Sequence, residues 1–158
     1  MSFSRIILHT VWCTKYREPW IDPVIEPELH AVIAAEFIQQ GAPPLAIGGS
    51  FDHVHILHPL PRTKTVAQLM SAAKAKSSRW MSLRDPRYAD FRWQDTYATF
   101  SVDYRRQQYV IHYIRHQREQ HARKQPYASY EEEFLTLLRA YGIEDYDPRY
   151  LFPVRSRA

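Results

Sequence analysis

The chain has 158 residues, 45% hydrophobic and 24% charged, with a formal net charge of +4. That is the composition of an ordinary folded globular chain, large enough for one compact domain with one core. It has no apolar run of the roughly 18 residues a membrane span needs, no signal-like stretch after Met1-Ser2-Phe3-Ser4-Arg5, and only Cys13, which excludes an internal disulfide. The expectation is a cytoplasmic protein outside the membrane.

In chain order, residues 5–13 read as a strand, because Ile6, Ile7, Leu8, Val11 and Trp12 favour extended backbone. Lys15-Tyr16-Arg17 then leads into a loop broken by Pro19 and Pro23. Leu29, Val32, Ile33 and Phe37 recur at helical spacing and predict a helix over 28–40, stopped by Gly41. Residues 42–60 read as two strands divided by Gly48-Gly49-Ser50. A second helix is expected over 66–81, with Val66, Leu69, Met70, Ala73 and Trp80 on its buried side, then a loop over 85–95 and a strand over 97–102. The spacing predicts one long helix over 103–124 and a short one from Ser129, where Ser129 and Glu132 fit a capping box, ending by Gly142. The order suits an α+β fold: a ferredoxin-like antiparallel sheet with helices on one face, followed by extra C-terminal helices. One domain is expected over 1–158, with a core over about 5–125 and a C-terminal helix and tail over about 126–158.

Two short patterns carry chemistry. In Asp52-His53-Val54-His55-Ile56, the strand period of two turns His53 and His55 to one side and Val54 and Ile56 to the other. Paired imidazoles of this kind can clamp a divalent metal, or they can be two surface histidines. His58 lies three residues from His55 and so falls on the opposite face. In Tyr113-Ile114-Arg115-His116-Gln117, a regular helix puts Tyr113 and Gln117 on one side, next to an apolar strip of Val110, Ile111 and Ile114. Arg105, His112, His116 and Arg123 form a basic flank, and the plain alternative is a solvated basic helix with Tyr113 half buried.

Aromatic residues make up 14% of the chain, and with a pI of about 9.2 they lean toward a polyanionic partner. Lys15, Tyr16, Arg17, Arg62, Lys64, Lys74, Lys76, Arg79 and Arg105 are candidate phosphate or base contacts, or ordinary surface charge. There is no G-K-[ST] phosphate loop, which argues against ATP-driven chemistry, and no G-x-S-x-G elbow.

Taken together these segments resemble the single-tyrosine HUH transposases of the insertion-sequence 200/605 type. Leu8-His9-Thr10-Val11-Trp12-Cys13-Thr14-Lys15-Tyr16-Arg17 is similar to their opening strand, and Asp52-His53-Val54-His55 to their histidine–hydrophobic–histidine motif. Lys74-Ala75-Lys76-Ser77-Ser78 resembles the basic helix that follows, and residues 93–102 the last strand. Tyr113 to Gln117 matches the nucleophile motif Y-x-x-x-Q. The chain departs from the family at His116, where asparagine is common, and near Thr96, where glycine is common.

The resemblance implies that His53, His55 and the Gln117 amide oxygen hold Mg²⁺ or Mn²⁺, and that Tyr113 attacks single-stranded DNA with a hairpin end. A covalent 5′-phosphotyrosine then permits rejoining without ATP. It also implies a homodimer in which the tyrosine helix of one subunit serves the histidines of the other. Three other readings stay open: a domesticated relative like the transposases associated with repeated extragenic palindromes, a non-catalytic single-stranded nucleic-acid-binding module, and a metal hydrolase unrelated to nucleic acid. The role of Tyr113 separates the last two from the enzyme.

Overall fold

The computed structural model describes residues 1–124 and 126–156. Its centre is strand β1 (Ile7–Thr14), every residue of which is buried. β1 pairs antiparallel with β3 (His53–Pro59) on one side and with β4 (Trp93–Ser101) on the other; β2 (Ala46–Gly49) pairs with β3 at the edge. The order is β2-β3-β1-β4. A central strand buried along its whole length needs cover on both faces.

One face carries α1 (Glu26–Gln39) and α2 (Val66–Arg84). Trp12, Val54 and Ile56 from the sheet meet Leu29, Ile33 and Phe37 of α1 and Leu69, Met70 and Ala73 of α2. The start of α2 is held by a full capping box between Thr65 and Gln68, which satisfies two otherwise orphaned N–H groups. His58 lies on this face too, edge-on to Phe37 at 4.8 Å and hydrogen-bonded to Thr10 Oγ1 at 2.9 Å, well away from the other strand histidines.

The second face is covered by α3 (Gln107–Arg115), α4 (Gln117–Ala122) and α5 (Tyr130–Ala140), and α6 (Pro148–Leu151) follows in the tail. Ile7, Ala46 and Leu57 pack on Ile114 of α3, while Val11, Cys13, Ala98 and Phe100 pack on Tyr130, Phe134 and Leu138 of α5. The expected βαββαβ order is present.

Two boundaries differ from expectation. β4 begins at Trp93 rather than 97, since the Trp93 side chain is drawn into the core against Phe91 and donates its indole N–H to Ser77 Oγ at 2.9 Å. The long helix expected over 103–124 is broken. Residues Tyr104–Arg106 form a tight 3₁₀ turn behind Asp103, and His116 leaves helical geometry at φ −104°, ψ 15°. The His116 ring competes for the backbone there, its Nδ1–H donating to the His112 carbonyl at 2.7 Å.

His30 of α1 is buried, and its Nε2 has no hydrogen-bond partner. Burial first, and the Arg118 charge second, lower its pKa from 6.5 to about 4. The unfolded chain therefore binds the extra proton more readily between these values. Unfolding free energy should be undiminished by His30 above about pH 6.5 and fall as pH drops toward 4, by up to ~3 kcal/mol. Urea unfolding of the wild type and of His30→Leu at several pH values checks this: the variant should lose less stability on acidification, and parallel curves would refute the assignment.

Candidate active site and metal centre

The site depends on α3 lying directly on β2. A Cβ at Gly48 would stand 2.0 Å from the Ile114 carbonyl oxygen, so only glycine permits this approach. Fully buried Ile114 then anchors the helix, and the break at His116 turns Gln117 under the sheet. β3 directs His53 and His55 to the same face, opposite Val54 and Ile56.

His53, His55 and Gln117 are each fully buried. His53 Nε2 lies 3.0 Å from Gln117 Oε1, and His53 Nδ1–H donates to Asp52 Oδ1 at 2.7 Å. The carboxylate behind the ring fixes its orientation and leaves Nε2 facing the site, as behind metal-bound histidines. His55 shares a 2.8 Å hydrogen bond through Nδ1 with His9 Nε2. The Tyr113 ring stands 5.8 Å from that of His55 and 6.1 Å from that of His9. The structure thus brings Tyr113, Gln117, His53 and His55 of one chain together.

Three further residues meet here. Glu133 of α5 is fully buried among them. Its Oε1 accepts from the Tyr113 hydroxyl and from Gln117 Nε2 (2.8 Å), and its Oε2 accepts from His121 Nε2 (2.7 Å). His55 Nε2 is 3.3 Å from Glu133 Oε1 and His53 Nε2 is 3.6 Å from Oε2. His53, His121 and Glu133 each offer a ligand atom within 4.8 Å of the others. Tyr130 stacks on His53 at 4.9 Å, closing the site from above.

Burial opposes the charge of Glu133, but His55, His121 and His53 outweigh it and hold the carboxyl well below its usual range. Burial also opposes the charge of His53, but the Asp52 bond and the acidic neighbours raise its pKa above the ordinary value. His55 goes the other way: burial, against the pull of Glu133, lowers its pKa. Burial and then the Glu133 charge push the Tyr113 phenol far up, so in this arrangement it is protonated.

Sequence reasoning missed Glu133, His121 and His9. A signal for Glu133 was present: it follows Tyr130 by three residues and precedes Phe134, Leu137 and Leu138, which puts a carboxylate on the apolar side of a short helix. Val11 opposes His55 in the β1–β3 register, and the contact of His9 with His55 is diagonal, so no local pattern reveals it.

The candidate DNA contacts are scattered. Lys74 Nζ donates to the backbone carbonyls of Gln94 (2.7 Å) and Asp95 (3.0 Å), and burial lowers its pKa to about 8. Arg17 pairs with Glu131 and lies over Phe152, Lys76 lies 3.6 Å from Glu36, and Arg105 pairs with Asp103 at 3.1 Å. Tyr16 and Arg17 both have left-handed backbone, φ 58° and 56°, in a turn next to the site rim. Lys15 lies over the Tyr16 ring, and Arg79 is exposed on α2. None of these seven touches the histidine pair.

A four-stranded ferredoxin-like sheet with a histidine–hydrophobic–histidine strand beneath a tyrosine-bearing helix defines the single-tyrosine transposase class. The chain belongs to the IS200-like transposase family, which matches residues 2–117. Among solved structures it resembles a candidate transposase from Deinococcus radiodurans, with a TM-score of 0.58 and 20% identity over 74% of this chain and 94% of that one. It also resembles a REP-associated tyrosine transposase solved bound to a REP hairpin, with a TM-score of 0.50 and 14% identity over 72% and 70% of the two chains. No curated protein sequence matches the chain. The family supports a DNA-cleaving role for it.

If Gly48 sets the position of α3, then Gly48→Ala should cost about 1–3 kcal/mol through overpacking. Urea unfolding measures the loss, and amide exchange should quicken in α3 while β1 and β3 stay protected. Unchanged stability and unchanged α3 exchange would refute the close-approach argument.

Proposed function

We propose that the chain is a metal-dependent transposase that cleaves and rejoins single-stranded DNA through a 5′-phosphotyrosine on Tyr113. The observation that carries this reading is the convergence, within one chain, of the Tyr113 hydroxyl, Gln117 and the His53–His55 pair on one buried point. A binding module has no use for a phenol beside two buried imidazoles. A hydrolase that activates water has no need of a phenol held beside them.

The residues fit a divalent ion. His55 Nε2 is buried without a hydrogen-bond partner, and Gln117 Oε1 and His53 Nε2 already face each other. His53, His55 and Gln117 would hold Mg²⁺ or Mn²⁺, and a bound ion supplies positive charge against a non-bridging phosphate oxygen. The remaining chemistry belongs to the chain. Tyr113 Oη forms the bond to phosphorus and loses its proton, and the bond from phosphorus to the 3′-oxygen breaks. That oxygen takes up a proton and leaves as a 3′-hydroxyl. Rejoining is the reverse with a new 3′-hydroxyl, so the bond energy is conserved in the phosphotyrosine. Gln117, one turn from Tyr113, ties the nucleophile's helix to the histidine strand and fixes its approach.

In the described state the Tyr113 hydroxyl donates to Glu133, so attack on DNA requires that bond to be given up. Its loss also removes an anion that, after burial, opposes ionisation of the phenol. A cleft of about 150 Å³ opens next to Tyr113, lined by Arg106, Tyr109, Tyr127 and Tyr141 among others, with the Arg106 guanidinium 5.0 Å from the Tyr109 ring centre. Rings and a cation beside the nucleophile suit stacked bases of a single strand. A hairpin end is the substrate suggested by the REP-hairpin complex of the structural neighbour. We take 1–158 as one working unit, because α5 contributes directly to the site, and we place its work in the cytoplasm; no helix among the described residues is long and apolar enough to cross a membrane. The reading includes a homodimer.

Labelled single-stranded hairpin DNA should become bound to the protein through a link that survives denaturation, with the adduct on Tyr113 by mass spectrometry. Tyr113→Phe should abolish it and leave binding within a few fold. Tyr109→Ala should weaken binding by about 1–3 kcal/mol, the usual worth of one stacked base, and leave the adduct on Tyr113. No adduct with any hairpin strand in Mg²⁺ or Mn²⁺ would favour a binding module.

A further inference from the structure

The family match ends at residue 117, yet the histidine cluster continues beyond it. His121 on α4 and Glu133 on α5 turn their side chains into the same buried point as His53 and His55. We propose that His121 and Glu133 are metal ligands of this chain, and that with His53 and His55 they form a nitrogen-rich site for a first-row transition ion rather than Mg²⁺. This rests on the metal-dependent reading given above.

Three features support the assignment. The first is geometric. Ligand atoms of His53, His121 and Glu133 lie within 4.8 Å of one another, and the rings of His53 and His121 stand 4.7 Å apart, edge to face. Donor atoms about 2.0–2.2 Å from a shared ion are separated by about 3–4.5 Å, so only small side-chain adjustments are required. The second is an unused donor. A simple ion-pair network around Glu133 would employ each buried nitrogen, but His55 Nε2 lies 3.3 Å from the carboxylate without hydrogen-bond alignment and has no other partner. The third is support from behind. Asp52 holds His53 through Nδ1, and His9 holds His55 through Nδ1, so both Nε2 atoms are presented inward.

The donor set decides the class of ion. Three imidazoles, one carboxylate and the Gln117 amide oxygen make a mixed nitrogen–oxygen site. Mg²⁺ prefers oxygen, keeps several waters and gives them up reluctantly. Mn²⁺, Co²⁺ and Zn²⁺ accept imidazole readily. A bound ion would also offset the buried negative charge of Glu133 and tie α4 and α5 to β3. The C-terminal helix would then be held by coordination as well as by its apolar contacts with Val11, Ala98 and Phe100.

Isothermal titration of the full chain with Mn²⁺, Co²⁺, Zn²⁺ and Mg²⁺ tests this, together with the visible absorption of the Co²⁺ form and the thermal midpoint with and without ion. The wild type should bind Mn²⁺ and Co²⁺ at least tenfold more tightly than Mg²⁺ and gain thermal stability from them. His121→Ala and Glu133→Gln should each weaken Mn²⁺ binding at least tenfold and change the Co²⁺ spectrum. Glu133→Gln preserves shape and one acceptor oxygen, and far-UV circular dichroism checks that each variant folds. Mn²⁺ affinity and a Co²⁺ spectrum unchanged in both variants, but lost in His53→Ala, would overturn this proposal alone, leaving Glu133 as a cover over a three-ligand site. No binding of any ion to the wild type would overturn the metal-dependent reading as well.

Discussion

Everything at the site depends on how near α3 can come to the sheet. At Gly48 the strand backbone and the Ile114 carbonyl are so close that a side chain has no room. That contact, sealed by Ile114 against Ile7, Ala46 and Leu57, fixes the height of the tyrosine helix above the histidine strand. The break at His116 lies between Tyr113 and Gln117, and just beyond it Gln117 Oε1 stands 3.0 Å from His53 Nε2. Tyr113 and the histidines are thus positioned by backbone packing rather than by loops, as the proposed attack requires.

The second constraint is the buried charge of Glu133. An isolated carboxylate in a core costs several kcal/mol unless it is paired and hydrogen-bonded. Here it accepts bonds from Tyr113, Gln117 and His121 and faces two more imidazoles. Those contacts make α5 part of the site rather than an appendage. They also set its chemical state, since the same anion that gathers the histidines disfavours ionisation of Tyr113.

The basic residues show why charge counts mislead. Lys74 lies in a lysine-rich stretch that reads as a phosphate contact, but its ammonium ties α2 to the backbone of β4. Arg17 ties the turn after β1 to α5 and the tail through Glu131 and Phe152. Arg118 does similar work between α4 and the start of α1, bonding Glu26 and the Ile21 carbonyl. Much of the excess positive charge thus braces one element against another. The cation nearest Tyr113 at the mouth of its cleft, Arg106, belongs to a turn that sequence reasoning treated as ordinary helix.

Period and local chemistry made a large part of this protein legible. Alternation along β3 was enough to put His53 and His55 on one face and His58 on the other, because side-chain direction in a strand depends only on parity. The order of elements and the resemblance of Tyr113-x-x-x-Gln117 to a known motif were equally local. Glu133 and His121 were not legible in this way. Their meeting with His53 joins segments 68 to 80 residues apart, and nothing in the local pattern of α4 or α5 states which strand they will cover. The same holds for the break at His116 and for the anchoring of Lys74. Each depends on which surfaces pack together, and that is settled only when the sheet buries both of its faces at once.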